Sequence, residues 1–483
     1  MTPARSAVTA EAPLNRRHRC IFAASAGIAT ALAWLLYGAM APGGFSKDTV
    51  FQLGQAQRTL PLNDWHPIAM TWTWQWLIDL TGTINSMLFM QVCAAWVCAV
   101  LTAYYLLKVS RRGWSALAGL FILFMPNTVN IVGIVWKDTH LGLALYFAVI
   151  LTLLMPVVPR LRWVLAALAF GALVYGGLVR KNSAVAVLPI IALIAVWLLV
   201  RIKGKKSKEQ KRTTGQKRTL SRRRRLTAAV VAAVSFGAVL VGVDTGLKAS
   251  LQPTENSQFT QVMLDDLVFA VPQESIDAAA APAAEKTRLA RAKISCADKN
   301  TERREAGKAE IIWDAYWDCY GMGANGEYTQ IQDPAAVTSI WKQTMPQHLD
   351  SYAAYRIQTT TKFLFTSKLQ FIRDRDRDYP AQQQMLRASL RTYVVDFGVA
   401  VFPWLFLGAV AAGLSAVGIA VGAKKRRRSP GALVVFSSAI LYLMTYVPTA
   451  PANDYRYVFW PWLAAMLGWL VLWAEGQKRR RMG

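Results

Sequence analysis

The sequence predicts an all-α polytopic membrane protein: about ten transmembrane helices carrying a mostly helical extracytoplasmic domain. Three observations predict it. Apolar residues make up 54% of the 483 while charged ones make up 17%, a balance too greasy for an ordinary soluble globule. Apolar runs recur at about the 20 residues that a hydrocarbon core of roughly 30 Å demands. The net charge of +27 is confined to short stretches between those runs.

These stretches lie at 4–19, 108–112, 160–162, 201–225, 424–428 and 478–481. They hold 31 of the 55 Lys and Arg, and only Glu11, Glu209 and Glu475 lie in or beside them. All of the net charge therefore sits in six segments. A nucleic-acid-binding protein would carry its basic residues on a folded polar face. Here they punctuate apolar runs, which excludes nucleic acid as partner and fits cytoplasmic loops attracted to anionic lipid.

One threading puts all six segments on the cytoplasmic side. Residues 1–20 form a basic cytoplasmic N-terminus, and the first span, 21–41, lacks a convincing small-x-small cleavage site, so it is expected to be a retained anchor. An outer loop occupies 42–83. Its Trp-rich stretch 66–80 is too short to span once Asp79 is counted, and its indoles suit an interfacial or re-entrant helix. Spans two to seven follow at 84–107, 114–126, 139–157, 163–179, 183–200 and 226–246. They complete a transmembrane module over 21–247, with the basic cytoplasmic loop at 201–225.

Residues 248–391 are the one polar region long enough to be a domain, and apolar residues at helical spacing in QVMLDDLVFAV and SYAAYRIQTTTKFLF predict helices there. Of five cysteines, only Cys296 and Cys319 fall on the oxidising side. Paired as a disulfide, they would stabilise the domain by roughly 3 kcal/mol. Spans eight to ten, at 393–421, 432–447 and 457–473, lie within 392–474, and 475–483 is a basic cytoplasmic tail. The expected location is the plasma membrane, with multiple passes and both termini cytoplasmic.

This threading gathers polar residues from separate loops on the outer side. They are Asp48, Asp64 and His66; Lys137, Asp138 and His140; Arg180 and Lys181; and Asp454, Arg456 and Tyr457. Ionisable groups beside hydrocarbon are costly, so a mixed set at one interface points to a binding site or to paired charges holding loops together. The residue types suit group transfer from a lipid phosphate. Arg180, Lys181 and Arg456 offer cations for the phosphate, and Asp48 or Asp64, with His66 beside it, offers a base for an acceptor hydroxyl. Lys137, Asp138, Asp454 and Tyr457 are expected on the substrate side. No G-x-x-x-x-G-K-[ST], G-x-S-x-G or H-E-x-x-H motif occurs, nor a cysteine pair at zinc-finger spacing. Asp374, Asp376 and Asp378 in RDRDRDY alternate with arginine and read as a self-neutralised solvated segment.

The first-loop segment GGFSKDTVFQLGQAQ with NDWHP, the later WKD, WKQTMPQHLDSYAAYR and the NDYRYVFWPW entry to the last span together resemble the polytopic C-type glycosyltransferases that use polyprenyl-phosphate sugars. The resemblance implies that Asp48 takes the place of the first-loop catalytic acid. It implies a polyprenyl-phosphate-sugar donor and a glycan or other cell-envelope acceptor. Many members carry an acidic pair there, whereas Thr49 follows Asp48 here, so a divalent metal is possible but not assigned and Asp64 is the alternative base. Two other functional classes compete. A transporter or flippase of lipid-linked glycans would show repeated halves and mid-membrane coupling residues, and neither is found. A wall-binding scaffold would need no acid and base at the outer face.

Overall fold

The computed structural model describes residues 14–210, 222–256, 258–311, 314–321, 326–328, 331–368, 371, 379–424 and 429–482. Residues 211–221 of the basic loop, residues 425–428, and Asp374, Asp376 and Asp378 lie outside the described residues. All regular structure among the described residues is helical, with four isolated bridges and no strand. In chain order the helices are α1 (Arg16–Met40), α2 (Lys47–Ala56), α3 (Ile68–Thr81), α4 (Ser86–Ser110), α5 (Ser115–Ala118), α6 (Pro126–Val132), α7 (Lys137–Leu154), α8 (Arg162–Val179), α9 (Ala184–Gln210) and α10 (Arg222–Leu251). The polar region contributes α11 (Phe259–Ala270), α12 (Gln273–Ala278), α13 (Ala283–Glu305), α14 (Ala315–Asp318), α15 (Pro334–Thr344), α16 (Leu349–Phe365) and α17 (Ala381–Arg391). The chain closes with α18 (Gly408–Ala423), α19 (Pro430–Tyr446) and α20 (Phe459–Met482).

Seven helices, α1, α4, α7, α8, α9, α10 and α20, are long and apolar enough to cross a membrane, and α18 and α19 are shorter apolar helices. Burial sorts them. Helix α7 is apolar nearly all round and buried nearly all round, which places it at the centre of the bundle with α20 against it. At the rim, α1 exposes Ile28, Trp34 and Leu35, and α10 exposes Val230, Val231, Val234 and Val241. Bare apolar flanks of that extent suit hydrocarbon and not water, so the bundle is a membrane-embedded one. Close approach depends on small residues. Gly418 on α18 and Gly468 on α20 flank the Phe436 ring of α19, where any added Cβ would sit within 2.5 Å of a ring carbon.

The expected span at 114–126 is not one helix. The chain instead makes α5, a 3-10 turn at Phe121–Leu123, and α6. Gly119 lies so close to Ala103 that an added Cβ would meet its backbone nitrogen at 2.5 Å. Pro126 opens α6 and has no N–H with which to continue a preceding helix. These pieces still run antiparallel beside α4, because Gln91 Nε2 donates to the Val132 and Ile134 carbonyls at 2.5 and 3.0 Å. Irregular backbone at that depth persists because it is buried in protein and bonded: Thr128 Oγ1 donates to Phe121 O, and Thr139 Oγ1 to Ile131 O. The expected span at 393–421 is likewise divided, into a π-helix at Thr392–Val399, a 3-10 turn at Pro403–Phe406, and α18. Two of the expected spans are thus broken into shorter pieces rather than single helices.

The bundle has two unlike ends. At one end Gly113 meets Ile21, Trp114 packs on Trp473, Tyr105 bonds Glu475, Arg481 donates to Val109 O, and Gly431 meets Leu153. The described basic residues next to these ends, Arg16 and Arg17 at the start of α1, Lys108, Arg111 and Arg112 at the end of α4, Lys424 after α18, and Arg479, Arg480 and Arg481 at the end of α20, therefore collect there. At the opposite end lies the polar region, whose own core is built from Leu264, Leu267, Ile276, Leu289, Val337, Ile340 and their neighbours. Within that core Cys296 and Cys319 form a disulfide, with their Cα atoms 4.9 Å apart. This second core does not extend over all of 248–391. Phe363 of α16 and Leu386 and Leu390 of α17 pack on the main bundle instead. Helix α3, at 14 residues, is too short to span; it buries Met70 and Trp74 and exposes Trp72 and Trp76.

Candidate functional site

The site is assembled where α1 turns into α2. Gly43 takes φ +134 and Gly44 N donates to Gly133 O at 2.9 Å, an approach at which an added Cβ on Gly43 would meet Val135 at 2.7 Å. Ser46 caps α2 by accepting from Thr49 N, and it also accepts from Trp136 Nε1 at 2.8 Å. Thr49 is buried and donates to Val135 O at 3.2 Å. Thr49 is thus a clamp between α2 and the segment before α7. The clamp leaves Asp48 in the first turn of α2, where the helix dipole favours a negative charge.

Asp48, His66, Lys137, Arg180, Arg456 and Tyr457 line one cleft, joined by Trp65, Gln258, Gln261, Asp314 and Trp317. The cleft lies between the bundle and the polar domain and opens to solvent. Arg456 is its hub. Its Nη1 lies 2.6 Å from Asp48 Oδ2, its Nε 3.3 Å from Asp454 Oδ2 and 4.0 Å from Asp138 Oδ2, and its Nη2 donates to Tyr457 Oη at 3.2 Å. Arg180 is the second hub, with Nη1 3.0 Å from Asp138 Oδ1 and with Nε and Nη2 donating to Tyr446 Oη at 3.0 and 2.5 Å. The Tyr457 ring lies 4.8 Å from one guanidinium and 5.1 Å from the other, so it separates two cations while offering each a π face.

The expected site residues divide into three groups. Asp48, His66, Lys137, Arg180, Arg456 and Tyr457 face the cleft. Asp138 and Asp454 are buried beneath it as counter-ions and do not line it. Asp64 and Lys181 lie elsewhere. Asp64 Oδ1 accepts from Asn256 N at 2.6 Å and its Oδ2 lies 3.7 Å from Lys248 Nζ, so it ties the first loop to the end of α10 and to the residues that follow. Lys181 is exposed at the start of the turn before α9. His140 is buried, with Nδ1 2.8 Å from Tyr175 Oη, and it too is off the cleft.

Charge states follow from burial and neighbours. Burial alone would raise the Asp48 carboxyl, but Arg456, with Lys137 behind it, outweighs burial and holds it well below the usual carboxylate range. Burial depresses His66 to about 4, so its imidazole is neutral at pH 7. Burial raises Asp454 to about 7 against the pull of Arg456, and it raises Asp314 as well. Both arginines are largely committed to protein acceptors. Lys137 makes no hydrogen bond or ion pair among the described residues, which leaves it the uncommitted cation of the cleft. No three His, Cys, Asp or Glu side chains come together as a metal-ligand set among the described residues.

Sequence reasoning missed the cleft wall formed by Trp65 of the first loop and by Trp317, Gln258 and Gln261 of the polar domain. Trp65 and Trp317 lie in NDWHP and WDCYG, and Gln258 and Gln261 lead into α11. None of them carries a charge that would mark it. Asp314 adopts φ +62, donates its N–H to Pro451 O and pairs with Lys368 Nζ at 3.3 Å. Arg356 Nη1 donates to Ala450 O and Asn453 Nδ2 to Thr366 Oγ1. These bonds stitch the polar domain to the loop that presents Asp454 and Arg456.

No family model, no curated protein and no solved structure matches this chain.

Proposed function

We propose that this protein is a membrane glycosyltransferase that moves a sugar from a polyprenyl-phosphate donor to a cell-envelope acceptor, with inversion and with Asp48 as base. The observation that carries the reading is the meeting of an ionised carboxylate, a free lysine and two arginines in one cleft, at the end of the bundle opposite the basic segments. By the positive-inside rule, the basic end is cytoplasmic and the cleft and polar domain are extracytoplasmic. In this topology the chain crosses the plasma membrane ten times, once in the broken segment before α7, and both termini are cytoplasmic.

The cleft level suits a lipid carrier, whose phosphate stays at the headgroup plane while its chain remains in hydrocarbon. Lys137 is the first cation free to meet that phosphate, and Arg180 and Arg456 flank it. The acceptor hydroxyl oxygen attacks the anomeric carbon. The new O–C bond forms as the bond from that carbon to the phosphate oxygen breaks, and the departing polyprenyl phosphate takes the electron pair. The hydroxyl proton passes to Asp48 Oδ1, since Oδ2 is held by Arg456. The cations stabilise the growing negative charge on the leaving phosphate.

The test uses purified protein in lipid nanodiscs, offered polyprenyl-phosphate sugars with acceptor glycans and followed for free polyprenyl phosphate. Acceptor-dependent release supports the reading. Absence of release, with the intact sugar lipid changing leaflet in proteoliposomes, would favour the transporter.

A further inference from the structure

From the wall facing Asp48 and Lys137 we infer that the polar domain, together with Trp65 of the first loop, supplies a subsite for the donor's sugar ring, formed by Trp65, Trp317, Gln258 and Gln261. The inference rests on the proposed function and adds the group that reads the sugar. Four observations carry it. Trp65 and Trp317 both line the cleft, half-buried. Both indoles are packed in place, Trp65 against the Tyr316 ring at 5.8 Å and Trp317 beside Tyr316 at 6.0 Å with Lys47 Nζ 5.3 Å over its ring. Gln258 and Gln261 stand one helical turn apart at the start of α11 and line the same cleft. Neither side-chain amide has a hydrogen-bond partner among the described residues, so both donors and acceptors are available.

The chemistry of that wall differs from the opposite one. A pyranose or furanose ring presents a patch of C–H bonds on one face and hydroxyls around its edge. Rigid indole faces suit the first, and amides that both donate and accept suit the second. Charged side chains dominate the phosphate side, while among the described residues lining this side the one ion is Asp314, already paired with Lys368, with the Lys47 ammonium over the Trp317 ring. The division places the phosphate on the bundle and the sugar on the polar domain, with the anomeric carbon between them beside Asp48.

The test separates the two halves of the ligand. Full-length protein in nanodiscs is titrated with dodecyl phosphate, and then with dodecyl phosphodiesters of glucose, galactose, mannose and arabinose. At least one sugar should tighten binding roughly tenfold over bare dodecyl phosphate. Trp317→Ala and Gln261→Ala should each remove most of that gain while leaving dodecyl phosphate affinity unchanged, which also reports that the variants are folded. If Trp317→Ala does not fold, Gln261→Ala decides. If no sugar improves on the bare phosphate, or if the gain survives both substitutions, the subsite is overturned while the phosphate site stands. If no probe binds at all, the phosphate reading fails and the subsite falls with it.

Discussion

Arg456 Nη1 and Asp48 Oδ2, side chains 408 residues apart in the chain, are 2.6 Å apart across the cleft. The pair joins the first turn of α2 to the turn that enters α20, so the two ends of the sequence meet at the site. It also sets the chemistry of the base, because the guanidinium keeps Asp48 ionised. Asp48→Asn retains the shape and can still accept from Arg456, but it cannot take a proton. The variant should fold, bind donor and lose about two to four orders of magnitude in turnover, read as release of polyprenyl phosphate. A parental rate would move the base elsewhere in the cleft.

Removing the other partner should act on stability first. Arg456→Ala would leave Asp48, Asp138 and Asp454 without a shared cation, and Asp138 and Asp454 are buried. Breaking a buried ionic cluster in this way costs about 3–5 kcal/mol. The expected result is a lowered unfolding temperature in detergent as well as weak donor binding. Arg456→Lys keeps the charge and loses the fork, so it should recover part of the stability and little of the binding. Equal stability in all three proteins would remove Arg456 from its role as hub.

Arg456, Asp48 and Arg180 were legible in the sequence because each stands at the end of an apolar run, where a charge has few bland explanations. The same rule included Lys181 and Asp64, since the end of a run gives depth in the membrane and not direction around it. One residue past Arg180 the chain has turned, and Lys181 points away. Trp317 and Gln261 were not legible, because they are brought to the cleft by a domain whose packing has no simple period. The segment at 114–126 was apolar enough to read as a helix, and its interruption at Gly119 and Pro126 reflects contact with α4 that composition does not encode.

The polar domain should lose stability as pH rises through neutrality. Burial lifts Asp265 to about 7, although it accepts from Tyr320 Oη at 2.5 Å, and lifts Asp266 to about 6 beside Arg356 at 2.5 Å. Both values lie above those of an unfolded chain, so the folded state binds more protons. The stability these groups contribute is complete below about pH 4 and is lost as pH climbs through 6 to 7. Asp265→Asn keeps an acceptor for Tyr320 and cannot ionise. Unfolding temperatures compared between pH 5.5 and pH 8 should therefore fall by several degrees more in the parent than in the variant. Parallel slopes would show that Asp265 does not titrate in this range.

The disulfide tests whether the polar domain can be loosened without touching the chemistry. Cys296 and Cys319 are 23 residues apart, and closing a loop of that size stabilises by about 3 kcal/mol in the chain-entropy model. The double change to serine should lower the unfolding temperature while leaving the Asp48–Arg456 pair in place. Turnover below that temperature should stay near the parental value. Non-reducing peptide mapping of the parent should recover the two cysteines in one linked fragment, and recovery of two free thiols would withdraw the assignment.

The mechanism depends on the membrane topology. Gln258 is exposed at the mouth of the cleft, whereas Lys424 follows α18 at the basic end of the bundle. Single cysteines at these positions, in a chain whose Cys20, Cys93 and Cys98 are replaced, should label differently with a membrane-impermeant maleimide. Gln258→Cys should react in intact cells and Lys424→Cys only after the membrane is opened. An acceptor in the cell envelope can reach Asp48 only if that order holds. The reverse order would place the cleft in the cytoplasm beside the carrier's other leaflet, and the proposed transfer to an envelope acceptor would then lack a route.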